Sequence, residues 1–165
     1  MDSCRGYPKT YRTVNLLDFL LKNKATLAVA ESLTGGHLQA AITATPGISE
    51  VFEGGITAYS LHQKTHLLGV TKTHAKRVGC VSVQVAIEMA RGAAILFGTT
   101  YGIGTTGFAD TAPHRKFPYA YWAIYNLPSE KIIIFNETLG ENLSRTQMQE
   151  KTAGDALAAL IHHLS

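Results

Sequence analysis

Three side chains able to do chemistry, Ser32, Tyr59 and Lys64, sit where the chain turns out of apolar runs. Ser32 belongs to Ala28-Val29-Ala30-Glu31-Ser32-Leu33-Thr34-Gly35-Gly36, just past the apolar run Leu27 to Ala30 and before a helix expected to begin near Gly36. A hydroxyl at such a junction meets unpaired amide N–H groups and the positive end of a helix dipole, which suits a nucleophile, an oxyanion or a bound phosphate. The glycines let a substrate approach the backbone closely. The same residues also make an ordinary strand-to-helix turn with a Ser/Thr cap, so the segment alone leaves both readings open. Tyr59-Ser60-Leu61-His62-Gln63-Lys64 places a phenol and an amine where a second strand becomes a helix. An amine near a serine acts as general base when desolvation or neighbouring positive charge lowers its pKa, and a phenol can donate to a developing charge. A solvated helix lysine is the alternative for Lys64.

Other candidates carry less. The Tyr59 to Lys64 spacing is one residue longer than the Tyr-x3-Lys pair of short-chain dehydrogenases, and no Gly-x-Gly-x-x-Gly follows the first strand, so that reading is discarded. His62 and His66 have metal-capable spacing but lack a zinc-protease glutamate and a third ligand, and are expected at the surface. His162 and His163 are adjacent and point apart on a helix. Cys80 is expected to be buried and inert.

The elements that must position Ser32 and Lys64 follow from periodicity and punctuation. Helical spacing runs from Val14 to Leu21 and ends at Lys22-Asn23-Lys24, with residues 1–10 before it as a loose leader. Strands are expected at 26–31, Phe52 to Tyr59 and Tyr101 to Thr106, with helices at Leu38 to Ala44, Leu61 to Leu68 and 83–97. Thr45-Pro46-Gly47, Gly69 and Gly98 stop those helices, and Ser82 caps the last of them. A polar loop through Lys116 leads to a hairpin of Tyr119 to Tyr125 and Lys131 to Phe135, then to a helix over about 144–164 that buries Met148, Ala156, Leu157, Leu160 and Ile161. Strands alternating with helices, plus the hairpin, predict a single three-layer α/β/α domain over residues 1–165 with a mixed, mainly parallel sheet. In such an open sheet ligands bind beyond the carboxyl ends of the strands, and Ser32, Tyr59 and the Thr106-Gly107 turn all lie near such ends.

Composition narrows the function classes. With 165 residues, 45% of them hydrophobic, one core is expected rather than two. The net charge of +3 comes from scattered residues such as Arg12, Lys22, Lys72, Lys76, Arg77 and Arg115, which favours small anions over a nucleic-acid groove. Two cysteines form no metal, redox or disulfide pattern, and no apolar stretch reaches membrane-spanning length. A cytoplasmic protein without membrane partners is expected.

Ala30-Glu31-Ser32-x-Thr34-Gly35-Gly36, Pro46-Gly47, Phe52-Glu53-Gly54-Gly55 with Tyr59-Ser60 through Lys64, Leu67-Leu68-Gly69-Val70, Val81-Ser82 and Thr106-Gly107 together resemble the CinA C-terminal family, which includes nicotinamide mononucleotide deamidases. The likeness runs from about residue 14 to the last helix. It implies an amidohydrolase that turns nicotinamide mononucleotide into the acid and ammonia without metal or cofactor. On that resemblance Ser32 is the nucleophile, Lys64 its base, and Tyr59 assists the proton transfer or polarises the amide. Thr34, Gly35 and Gly36 supply donors to the oxyanion or nucleotide, while Glu31, Thr106, Gly107 and Arg145 complete the substrate site. A small nucleotide is the implied partner. Self-association into a dimer or higher oligomer is expected because α/β domains of this kind often pair.

The likeness breaks after Gly107. The family pattern continues from Thr-Gly-Ile-Ala into Gly-Pro-Gly-Gly-Gly-Thr, whereas this chain reads Phe108-Ala109-Asp110-Thr111-Ala112-Pro113-His114-Arg115-Lys116. Tyr119 and Tyr121 are expected to fill space that a ribose phosphate needs. His114, Arg115 and Lys116 are read either as side-chain phosphate ligands or as a solvated loop tip. Gln149 stands where a second family arginine is common. Two outcomes fit: hydrolysis with an altered substrate preference, or a non-catalytic member that keeps the scaffold and binds a nucleotide or a protein. Nucleic-acid binding is the weakest alternative.

Overall fold

The computed structural model describes residues 13–111, 116–140 and 143–164; the expected leader, His114 and Arg115 lie outside them. The first strand, β1 (Leu27–Glu31), is buried at every residue, which for alternating side chains means that both faces are covered. Leu27 and Val29 pack into the larger core with α1 (Thr13–Lys22), α2 (His37–Thr43) and α6 (Arg145–Leu164). Ala28 and Ala30 face the other way, into a core shared with α3 (Leu61–Leu68), α4 (Lys72–Arg77) and α5 (Val83–Phe97). The result is three layers with the sheet in the middle.

The remaining strands are β2 (Phe52–Thr57), β3 (Tyr101–Phe108), β4 (Tyr119–Asn126) and β5 (Ile132–Thr138), in the order β2-β1-β3-β4-β5. β1 pairs in parallel with both β2 and β3, and the hairpin then adds two antiparallel pairings, so the sheet is mixed as expected. Differences from the sequence reading are local. β2 stops at Thr57, two residues early, and β3 runs on to Phe108 because β4 pairs with it along its whole length. A short helix, α4, and a 3-10 turn at Ile48–Glu50 were not foreseen; both are too brief to show a period. No helix among the described residues is long and apolar enough to cross a membrane.

Helix α5 lies against β3 at backbone distance. A Cβ on Gly102 would collide with the Ala90 carbonyl, and one on Gly104 with the Ala86 carbonyl. Small residues on both elements thus set the height of α5 above the strand that leads to the site. Gly104→Val is expected to cost about 3 kcal/mol, since neither backbone can yield without moving a whole element. Urea denaturation checks this, and an unchanged midpoint would contradict the packing.

Candidate active site

The chain leaves β1 for β2 on one side and returns to β3 on the other, so β1 is the point where strand order reverses. Side chains beyond the carboxyl ends of β1, β2 and β3 therefore face one crevice. Ser32, Tyr59, Lys64, Thr106, Gly107 and Arg145 all line a cavity of about 230 Å³ there.

Lys64 reaches this crevice from α3. Ser60 caps that helix by accepting from the Gln63 N–H at 3.3 Å, which sets its start and brings Lys64 to its first turn. Helical side chains lean toward the N-terminus, so the lysine folds back toward the connector it has just left. Its Nζ lies 2.8 Å from Ser32 Oγ, 2.8 Å from the Ala58 carbonyl oxygen and 2.9 Å from that of Tyr59. With 1% of its surface exposed, Lys64 is among the most deeply buried large side chains. Desolvation brings its pKa down to about 8, with Cys80 acting in the opposite sense. A neutral amine has two N–H bonds and one lone pair. The protonated amine donates to Ser32 and to both carbonyls; once it loses a proton, the two carbonyls accept its remaining N–H bonds and the lone pair is directed at the Ser32 hydroxyl.

The turn carrying Ser32 is held by a buried hydroxyl pair. Thr34 Oγ1 and Thr105 Oγ1 are 2.8 Å apart, and the Ser32 N–H donates to Thr105 at 3.5 Å. Along β3 the faces alternate, so Thr106 turns the other way and donates to the Cys80 carbonyl at 2.8 Å. Thr105 was not singled out in the sequence as a site residue, although period-two alternation permits only one of the two adjacent threonines to face Ser32.

Glu31, Thr34, Gly35 and Gly36, expected to touch substrate, do not line the cavity. The Glu31 carboxylate is fully buried and accepts the N–H groups of Gly36 at 2.9 Å, Leu38 at 3.1 Å and Gln39 at 2.8 Å. It caps α2 from the end of the preceding strand, because the residue at the cap position is Gly36, with φ 107° and no side chain. The Gly36 N–H is thereby committed to Glu31, and the Thr34 hydroxyl to Thr105. Glu31→Gln is expected to lower stability by about 2 kcal/mol, since an amide turns donors toward donors. A thermal melt reads this directly, and an unchanged melting temperature would remove Glu31 from the frame of the turn.

Tyr59 splits into two roles. Its carbonyl holds Lys64, while its side chain, on a residue 60% exposed, carries the hydroxyl to the cavity mouth, where Arg145 donates to it at 2.9 Å. Nζ of Lys64 sits 6.0 Å from the ring centroid. The phenol therefore does not join the Ser32–Lys64 hydrogen-bond set. Arg145 also pairs with Asp110.

Cys80, expected buried, is half-buried and lines the cavity with φ 64°. Tyr119 and Tyr121 do not plug the Ser32 cavity; they line a neighbouring groove. Gln149 rests over Gly35, where its amide would be 3.3 Å from an added Cβ. His62 and His66 are exposed and stack at 5.7 Å.

Comparison with known proteins adds to the geometry. A "CinA-like protein" from Prochlorococcus marinus (strain NATL2A) is 37% identical over 142 residues, covering 86% of this chain and 33% of that protein. One from Picosynechococcus sp. is 38% identical over 152 residues, covering 89% and 36%. The chain thus spans about a third of the length of these relatives. The fold is shared with a competence or damage-inducible protein from Enterobacter asburiae, at TM-score 0.84 and 24% identity over 93% of this chain and 96% of the other. A competence-damaged protein (CinA) superfamily protein from Enterobacter cloacae matches at TM-score 0.85 and 24% identity, over 100% and 99%. Residues 11–164 match the family described as the CinA C-terminal domain, and the chain belongs to that family.

Proposed function

We propose that this protein is an amidohydrolase that converts the carboxamide of a nucleotide such as nicotinamide mononucleotide into the acid and ammonia. The observation that carries the reading is the buried Lys64 amine, 2.8 Å from the Ser32 hydroxyl and oriented by two carbonyls. Lys64 takes the Ser32 proton as Oγ bonds to the carboxamide carbon. Collapse of the tetrahedral adduct breaks the C–N bond, and the proton passes from Lys64 to the departing nitrogen as ammonia. A water molecule then attacks the ester, again giving its proton to Lys64, and the acid leaves as Ser32 regains its hydrogen. Tyr59 and Arg145 act at the cavity mouth, where they orient the substrate.

The protonated amine cannot accept from Ser32. With a pKa of about 8, kcat/KM is expected to rise about tenfold per pH unit below that value and to level off above it. A pH–rate profile that is flat between 6 and 9 would contradict Lys64 as the base. The broader test is ammonia release from nicotinamide mononucleotide, nicotinamide adenine dinucleotide, the riboside and simple amides; no release from either nucleotide by folded protein overturns the reading.

The second reading, a member that binds a nucleotide without turnover, is favoured by Asp110 already occupying Arg145. It expects thermal stabilisation by the mononucleotide with no acid formed.

A further inference from the structure

The Ser32 cavity is small. At about 230 Å³ it falls below the range of roughly 300–1,000 Å³ usual for sites that enclose a whole ligand. It shares Gly79 and Phe108 with a groove of about 770 Å³ that runs on over β4 and β5. This groove gives a substrate whose carboxamide reaches Ser32 room for its remaining atoms.

The groove has a defined chemistry. Phe108, Tyr119 and Tyr121 form a series of edge-to-face rings leading away from the Ser32 cavity, with centroids 5.6 and 5.7 Å apart. Arg77, at the end of α4, and Lys116 are both exposed and line it. Glu137 is the acidic residue among the described lining, and its carboxylate is engaged by Lys151 of α6 on the opposite face of the sheet. The groove is therefore positive and aromatic together. Aromatic side chains give planar bases a stacking surface, and Arg and Lys bind phosphate oxygens. Phe108, Lys116, Tyr119 and Tyr121 all come from the stretch in which the sequence departs from the glycine-rich run that the resemblance implies.

We propose that this groove holds the distal half of a carboxamide dinucleotide, with the anionic linker between Arg77 and Lys116 and the second planar ring against Tyr121, while the carboxamide enters the Ser32 cavity. This rests on the reading of Ser32 and Lys64 as the hydrolytic pair. It makes the enzyme selective for a substrate longer than a mononucleotide.

The test compares kcat/KM for nicotinamide adenine dinucleotide and nicotinamide mononucleotide, in wild type, Tyr121→Ala and the surface double variant Arg77→Ala/Lys116→Ala. Calorimetric binding of both probes to each protein accompanies it. The expected result is a dinucleotide preference of at least tenfold that falls at least tenfold in the double variant and in Tyr121→Ala. Hydrolysis of the mononucleotide with no dinucleotide preference, or a preference that the variants leave unmoved, overturns the groove assignment and leaves the amidohydrolase reading standing. If neither probe is hydrolysed, the amidohydrolase reading fails and binding decides the groove. Dinucleotide binding tenfold tighter than mononucleotide binding, and weakened in the double variant, supports it; equal or absent binding overturns it.

Discussion

Ser32→Ala is expected to lower ammonia release from a carboxamide nucleotide by about 10⁴-fold or more, to the level left by binding and polar stabilisation alone. Removing one oxygen leaves Lys64 its two carbonyl acceptors and leaves the Thr34–Thr105 hydroxyl pair in place. The fold should therefore survive, with a melting temperature within a few degrees of wild type. Substrate affinity should also persist, because the groups at the mouth and in the groove are untouched. The informative pattern is a collapse of kcat with little change in ligand binding. Equal loss of kcat and binding would mean that Ser32 shapes the cavity instead of attacking the amide. Retained hydrolysis would remove it from the chemistry altogether.

Lys64→Met is expected to be inactive and to change how stability depends on pH. In the folded protein the amine has a pKa of about 8, whereas an unfolded lysine titrates near 10.4. Between those values the unfolded chain binds the extra proton, so wild-type stability rises as pH increases through this window. Below about pH 8 both states hold the proton, and the cost of burying the charge is paid in full. At ~1.4 kcal/mol per unit, the gain across the window is about 3 kcal/mol at most. Methionine keeps similar volume without a titrating group, so this gain should be missing from the variant. The measurement is urea denaturation of both proteins at pH 7.5 and pH 10. The difference between them cancels the other residues that titrate there. Parallel pH dependence in the two proteins would mean that Lys64 carries no depressed pKa.

Much of the frame was legible without coordinates because its signals are local. Leu27 to Ala30 is a short apolar run, Ser82 accepts from a helix N–H group as a cap does, and Gly69 and Gly98 end their helices in the left-handed conformation. These are properties of a few neighbouring residues, which periodicity and turn chemistry report directly. The short helix α4 had no such period, and the extra length of β3 came from its partner β4.

The site divides along the same line. From its own residues the chain determined that a serine, a phenol and an amine stand at strand-to-helix junctions, and that parallel strands would bring such junctions to one edge. Tertiary structure alone decided which atoms meet. Thr105 reaches the Ser32 turn from 73 positions away, and Arg145 reaches Tyr59 from 86. Glu31, one bond from the candidate nucleophile, was drawn away from substrate because α2 begins on a glycine and needs an acceptor from elsewhere. Tyr119 and Tyr121 became the walls of a groove once β4 paired with β3 and turned their side chains to the α5 face. Such choices depend on pairing register and on competition for buried hydrogen-bond donors, which are set by the packed molecule as a whole.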